Sequence, residues 1–223
     1  MQQQRSRVYV WEFPVRFTHW INLLCILALS ITGFYIGNPF IQAYSAKQYI
    51  MGWIRFIHFV AAYAFLMSFL IRIYWGFMGN KYANWRAFNP FSAKKIRDLA
   101  DITMFYLLLK KEPPPAVKKE GHTACAIYVY LGLFILFVIE ILTGFALYSQ
   151  SHYGVFWKLM GGWLLSVINV QNIRLYHHLI MWFLIAFAIL HVYIGWFLDK
   201  TEKNGLMGSI FSGYKFVTGK ELE

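Results

Sequence analysis

The chain has 223 residues, of which 59% are hydrophobic, 20% aromatic and only 14% charged, with a formal net charge of +11. Such a composition excludes an ordinary soluble domain and bounds the chain to a single membrane domain, residues 1–223, of a few helices. The basic residues sit in segments flanking apolar runs, which points to membrane topology and away from nucleic acid.

The first apolar run, about 15–37, ends at Gly37-Asn38-Pro39 and lacks a small-residue cleavage pattern, so it reads as a retained span. The second, about 50–78, contains Arg55, His58 and Arg72. A long loop, 79–123, follows. Within it, 92–111 carries Ile96, Leu99, Ile102, Phe105, Tyr106 and Leu109 at helical spacing, which predicts an amphipathic helix ended by Pro113-Pro114-Pro115. The third run, about 124–149, is interrupted by Glu140. The apolar stretch 155–168, with Gly161-Gly162 inside, predicts an interfacial segment. The fourth run, about 174–199, precedes the tail 200–223. Each run reaches the roughly 20 residues that a membrane helix needs. The runs are continuous rather than alternating, so the expected fold is an all-α integral membrane protein, a four-transmembrane-helix bundle.

Lys and Arg orient it. Arg5, Arg7 and Arg16 lie before the first span. Lys81, Arg86, Lys94, Lys95, Arg97, Lys110, Lys111, Lys118 and Lys119 lie in the long loop, and Lys200, Lys203, Lys215 and Lys220 in the tail. The two short loops carry only Lys47 and Lys158. Both termini and the long loop are therefore expected in the cytoplasm. Cys25 and Cys125 cannot form a four-thiolate cluster, no CxxCH is present for covalent haem attachment, and the two thiols read as small apolar side chains.

His177 and His191 stand fourteen residues apart in the fourth span. That step returns to within about 40° of the same helix face and rises about 21 Å, against a hydrocarbon core about 30 Å thick. One helix thus carries an imidazole near each membrane edge. Helix direction places His19 at the cytoplasmic edge and His58 at the outer edge. Depth then pairs His19 with His191 and His58 with His177, which predicts two stacked bis-histidine haems. For any single histidine a hydrogen-bonded packing role is the simpler reading; four at matched depths favour ligation. His178 lies about 140° off the His191 face and is assigned to a neighbouring one, bonding a propionate or water.

Arg16, Arg55 and Arg174 each precede one of these histidines by three residues, and Arg72 follows His58 by fourteen. Propionate pairing and simple snorkelling both fit them. Gly33 lies fourteen residues after His19, where a missing side chain lets a macrocycle approach; Gly144 fits the same role, and tight helix packing is the alternative for both. Glu140 must pair or be protonated, through a proton relay or a bond to a partner. His152 reads as an exposed loop residue. His122 and Thr123 border the cytoplasmic side and are candidates to line a quinone pocket. A faint internal echo links Thr32-Gly33-Phe34 with Thr143-Gly144-Phe145, and Arg55…His58 with Arg174…His177.

Taken together, Val15-Arg16-Phe17-Thr18-His19-Trp20, Ile54-Arg55-Phe56-Ile57-His58-Phe59, His177…Met181-Trp182…His191-Val192-Tyr193, Gly79-Asn80-Lys81-Tyr82 and Thr143-Gly144-Phe145-Ala146-Leu147-Tyr148 resemble the cytochrome b subunit of membrane-bound nickel–iron uptake hydrogenases. The wider group includes the cytochrome b of formate dehydrogenases. The resemblance covers nearly the whole chain. It implies a four-helix protein with two haem b groups in the bacterial inner membrane, anchoring a periplasmic hydrogenase of large and small subunits. The small subunit would bring iron–sulfur clusters and a membrane anchor helix. Electrons from hydrogen would enter at the outer haem and leave to menaquinone or ubiquinone. It also carries the ligand roles onto His19, His58, His177 and His191. The family often has Gly-His-Asn-Pro where this chain has Gly121-His122-Thr123-Ala124. The competing expectations are the cytochrome b of a formate dehydrogenase or other respiratory oxidoreductase, and, from another class, a haem-free anchor or small transporter. The chain itself has no cysteine pairs for a nickel–iron site, so hydrogen activation is not expected on it.

Overall fold

The computed structural model describes residues 5–41, 43–85, 93–106, 124–152 and 154–218. Four long helices dominate: α1 (Phe13–Gly37), α2 (Ile50–Met78), α4 (Ala124–Tyr148) and α6 (Val170–Glu202), each with a window long and apolar enough to cross a membrane. Lipid offers no partner to a backbone amide, so a single apolar segment satisfies its own N–H and C=O groups only by coiling into a helix. The protein is a multi-pass, all-α membrane protein. Between the long helices lie α3 (Ala93–Tyr106), α5 (Val155–Met160) with a 3₁₀ turn at Gly162–Ser166, and then α7 (Leu206–Ser212) after α6. α3 falls inside the amphipathic segment expected at 92–111, whose remainder lies outside the described residues.

Two features differ from the hydropathy reading. α6 starts at Val170 rather than at 174, because Asn169 caps it: its Oδ1 accepts from Gln171 N at 2.8 Å and its carbonyl accepts from Ile173 N at 3.1 Å. The chain also carries a small sheet that apolar patterning misses. Strand β1 (Arg5–Tyr9) pairs antiparallel with β2 (Tyr214–Thr218), with Tyr9 opposite Tyr214 and Val8 opposite Lys215. Both strands are short runs of β-branched, aromatic and basic residues.

Packing divides the chain into two compact units. One gathers the described residues of Met1–Phe17, Ile71–Phe134 and Tyr193–Glu223. In it Gly213 O accepts from Val10 N at 2.8 Å and Trp11 N at 3.1 Å, and Trp11 Nε1 donates to Ser209 Oγ at 3.1 Å. Glu12 Oε2 accepts from Trp75 Nε1 at 2.9 Å and from Asn80 N at 2.8 Å, which ties the start of α1 to the end of α2.

The other unit comprises Thr18–Leu70 and Ile135–Val192. Its core includes Phe65 and Phe69, both buried, which meet Phe137 edge-on at 5.0 and 5.9 Å between ring centroids. Ser68 Oγ donates to the Thr18 carbonyl at 3.3 Å. Ala146 is fully buried where α4 meets Gly161. Cys25 is buried and free, as expected of a small apolar side chain.

Candidate functional site

All four spaced histidines fall in this second unit. His19, in the second turn of α1, and His191, on α6, bring their ring centroids to 6.1 Å with the planes 48° apart. His19 Nδ1 is buried and has no hydrogen-bond partner among the described residues. Phe187, one turn before His191, stacks on its ring at 5.4 Å.

His58 lies on α2 and His177 on α6. Each has its Nδ1 held in the same way. Thr32 Oγ1 lies 2.8 Å from His58 Nδ1 and 2.6 Å from the Ala28 carbonyl. Thr143 Oγ1 lies 2.9 Å from His177 Nδ1 and 2.7 Å from the Ile139 carbonyl. A hydroxyl has one proton, and the carbonyl four residues back can only accept it. Each threonine therefore accepts from its imidazole, Nδ1 carries the ring proton, and Nε2 keeps its lone pair. Glu140 Oε2 approaches the same His177 nitrogen at 3.3 Å and is otherwise buried without a hydrogen-bond partner.

The glycines sit beside these rings. A Cβ at Gly144 would lie 3.4 Å from His177 Cε1; one at Gly33 would lie 3.7 Å from His58 Cε1 and 3.4 Å from Met181 Sδ. His178 turns to α1, where it meets Phe34 edge-on at 6.2 Å and presses on Gly37. Arg55 and Arg174 are exposed. Arg16 and Arg72 belong to the other unit. Arg16 Nη1 donates to the Phe211 carbonyl, and the buried Arg72 guanidinium lies over the Tyr130 ring, 5.5 Å from its centroid. His152, expected to be an exposed loop residue, is half-buried and stacks on Tyr148 at 3.8 Å. His122 and Thr123 lie outside the described residues. The threonines escaped the sequence reading as histidine partners; the repeated Thr-Gly-Phe was the available signal.

Residues 10–213 match the family described as prokaryotic cytochrome b561. The chain belongs to that family. This cytochrome is 34% identical to a probable Ni/Fe-hydrogenase B-type cytochrome subunit of Rhizobium leguminosarum bv. viciae, over 98% of this chain and 92% of the relative. It is 36% identical to the protein of the same description from Cupriavidus necator, over 93% and 86% of the two chains. It is 35% identical to the probable Ni/Fe-hydrogenase 1 B-type cytochrome subunit of Escherichia coli K12, over 96% and 94%.

The prosthetic group of a b-type cytochrome is haem b, whose iron side chains would hold. The residues of this cytochrome fit such a group. The His19 and His191 ring centroids, 6.1 Å apart, would leave room for one iron between the two imidazoles. The His58 and His177 rings satisfy the complementary requirement, with Nδ1 engaged and the Nε2 lone pair available.

Proposed function

We propose that this cytochrome is a dihaem electron-transfer subunit. It takes electrons from a periplasmic nickel–iron hydrogenase and delivers them across the bacterial inner membrane to a quinone, menaquinone or ubiquinone. In this reading His58 and His177 hold one haem b near the outer face, and His19 and His191 hold a second near the cytoplasmic face. Two observations support it: the His19 and His191 rings lie 6.1 Å apart, and a threonine hydroxyl meets Nδ1 of both His58 and His177. Intramembrane ionisable residues are costly and are kept where they serve a function.

When bound, haem b supplies one-electron exchange at its iron. The polypeptide supplies the rest. Its imidazoles offer neutral nitrogen donors at two depths, about 21 Å apart along α6. Its apolar helices exclude water. Arg55 and Arg174 supply exposed cations one turn from His58 and His177, placed to pair with propionates. Arg16 and Arg72 are engaged with Phe211 and Tyr130, so the propionate role falls first to the other two.

The basic N-terminal segment, long loop and tail support a cytoplasmic position for both termini. The hydrogenase large and small subunits then dock on the outer side, the small subunit supplying the iron–sulfur clusters. Quinone binds on the cytoplasmic side, where His122 and Thr123 remain the proposed pocket residues. The names of the relatives support this choice of partner.

The test is His58→Ala and His177→Ala in the complete complex. Pyridine haemochrome analysis should fall from two haems per chain to one. Hydrogen-driven quinone reduction should stop, while hydrogen-driven reduction of an artificial dye continues, since the dye reacts without the membrane path. Unchanged haem content or unchanged quinone reduction in either variant overturns the assignment.

A further inference from the structure

We propose that Thr32 and Thr143 are positioning residues that hold the outer histidine pair's haem at a lower potential than the inner pair's, so that the polypeptide itself builds a downhill step from the outer side to the inner. The inference rests on the two-pair reading above. What it adds is a role for two hydroxyls that touch no cofactor and act through the imidazoles behind which they stand.

Thr32 Oγ1 donates to Ala28 O at 2.6 Å, so at 2.8 Å from His58 Nδ1 it can only accept. Thr143 Oγ1 does the same between Ile139 O at 2.7 Å and His177 Nδ1 at 2.9 Å. An accepting oxygen on Nδ1–H fixes the tautomer and ring orientation and raises the basicity of Nε2. A more basic ligand favours the more positively charged, oxidised iron and lowers its potential. The inner pair is built differently. His19 Nδ1 is buried with no partner among the described residues, and His191 meets Phe187 and His19 through its ring. Among the described residues His19 Nδ1 lacks the acceptor that the threonines give the outer pair.

The two outer ligands are also unequal. Among the described residues His58 Nδ1 meets Thr32 Oγ1, whereas His177 Nδ1 meets Thr143 Oγ1 at 2.9 Å and also has Glu140 Oε2 at 3.3 Å. Losing Thr32 strips its imidazole of an acceptor. Losing Thr143 leaves a second acceptor in reach.

The experiment is an optical potentiometric titration of the intact, haem-loaded complex at fixed pH, with low-spin EPR g-values as a second readout. The wild type should titrate in two one-electron components, and His58→Ala should remove the lower one. Thr32→Val should raise the lower component, with a roughly tenfold change in its reduction equilibrium, about 59 mV for one electron. The upper component should stay in place. Thr32→Ser, which restores the hydroxyl, should return the value, and Thr143→Val should give a smaller rise. Thr32→Ala, which only removes atoms, serves if the valine variant does not assemble. A lower component unmoved by loss of the Thr32 hydroxyl, or a shift in the upper one instead, overturns the proposal. A wild type with a single haem overturns the two-pair reading itself.

Discussion

A methyl group at Gly37 would sit 2.7 Å from His178 Cε1 and 3.3 Å from its Nε2, so the end of α1 is shaped around that imidazole. The ring has little freedom to retreat, because Phe34 meets it edge-on from the preceding turn of α1. Gly37→Ala should therefore destabilise the protein by about 1–3 kcal/mol, the usual cost of overpacking. Thermal unfolding in detergent measures it. The same substitution in a His178→Ala background should cost far less, since the two residues are in contact and their effects do not add. Equal losses in both backgrounds would show that the ring is not the obstacle.

Gly161 meets backbone first. A Cβ there would lie 2.5 Å from Leu142 O, 2.8 Å from Ala146 N and 2.9 Å from Phe145 Cβ. No rotamer change relieves such a clash, so the loop after α5 must lift away from α4. Gly161→Ala should cost more than Gly37→Ala, at the upper end of the same range of about 1–3 kcal/mol. It should also expose Ala146, which is fully buried against that loop. Protease sensitivity of the 149–169 segment provides the check; a variant as resistant as the wild type contradicts the close approach.

The extent of sequence legibility follows from the range of each interaction. The spans were readable because lipid imposes about 20 apolar residues on any single helix, a strictly local demand. The approach of His19 to His191 was readable because helix geometry converts a fourteen-residue step into a face and a depth. The first turn of α6 was missed because Val170-Gln171-Asn172 mixes polar residues into the helix, though Asn169 is a ready capping residue. The sheet was missed because its two strands, five residues each, lie at opposite ends of the chain and carry no local turn signal. Thr32 and Thr143 were missed for another reason. A threonine in a membrane helix satisfies its proton by bonding back to the previous turn, and nothing in the sequence says which group its lone pairs then meet.

Glu12 offers a test of how the N-terminal segment is fastened. Its Oε2 takes two bonds, from Trp75 Nε1 at 2.9 Å and Asn80 N at 2.8 Å, while its backbone carbonyl accepts from Val15 N and Arg16 N. Glu12→Ala strips an indole and a backbone amide of their acceptor and should cost about 1.5–3 kcal/mol, the range for hydrogen bonds to charged groups. Glu12→Gln keeps a side-chain carbonyl in place and should cost clearly less. Detergent melts of the two variants decide it, and identical melts would mean that water replaces the carboxylate.

The exposed arginines give a prediction opposite in sign to that for Thr32. Arg55 and Arg174 precede His58 and His177 by three residues, which sets each cation about one turn nearer the helix start and about 60° around from its imidazole. Adding an electron makes the outer site more negative, so a nearby cation favours the reduced form and raises the potential. Arg55→Gln or Arg174→Gln should lower the outer component, where Thr32→Val raises it. Solvent screens both groups, so each effect should stay near the surface-pair range of about 0.2–1 kcal/mol. It should shrink between about 0.01 and 1 M salt, as the Debye length falls from about 30 to 3 Å. Potentiometric titration at the two ionic strengths measures both sign and screening. A drop confined to the inner component would move these cations to the other haem, and an upward shift would exclude them as propionate partners.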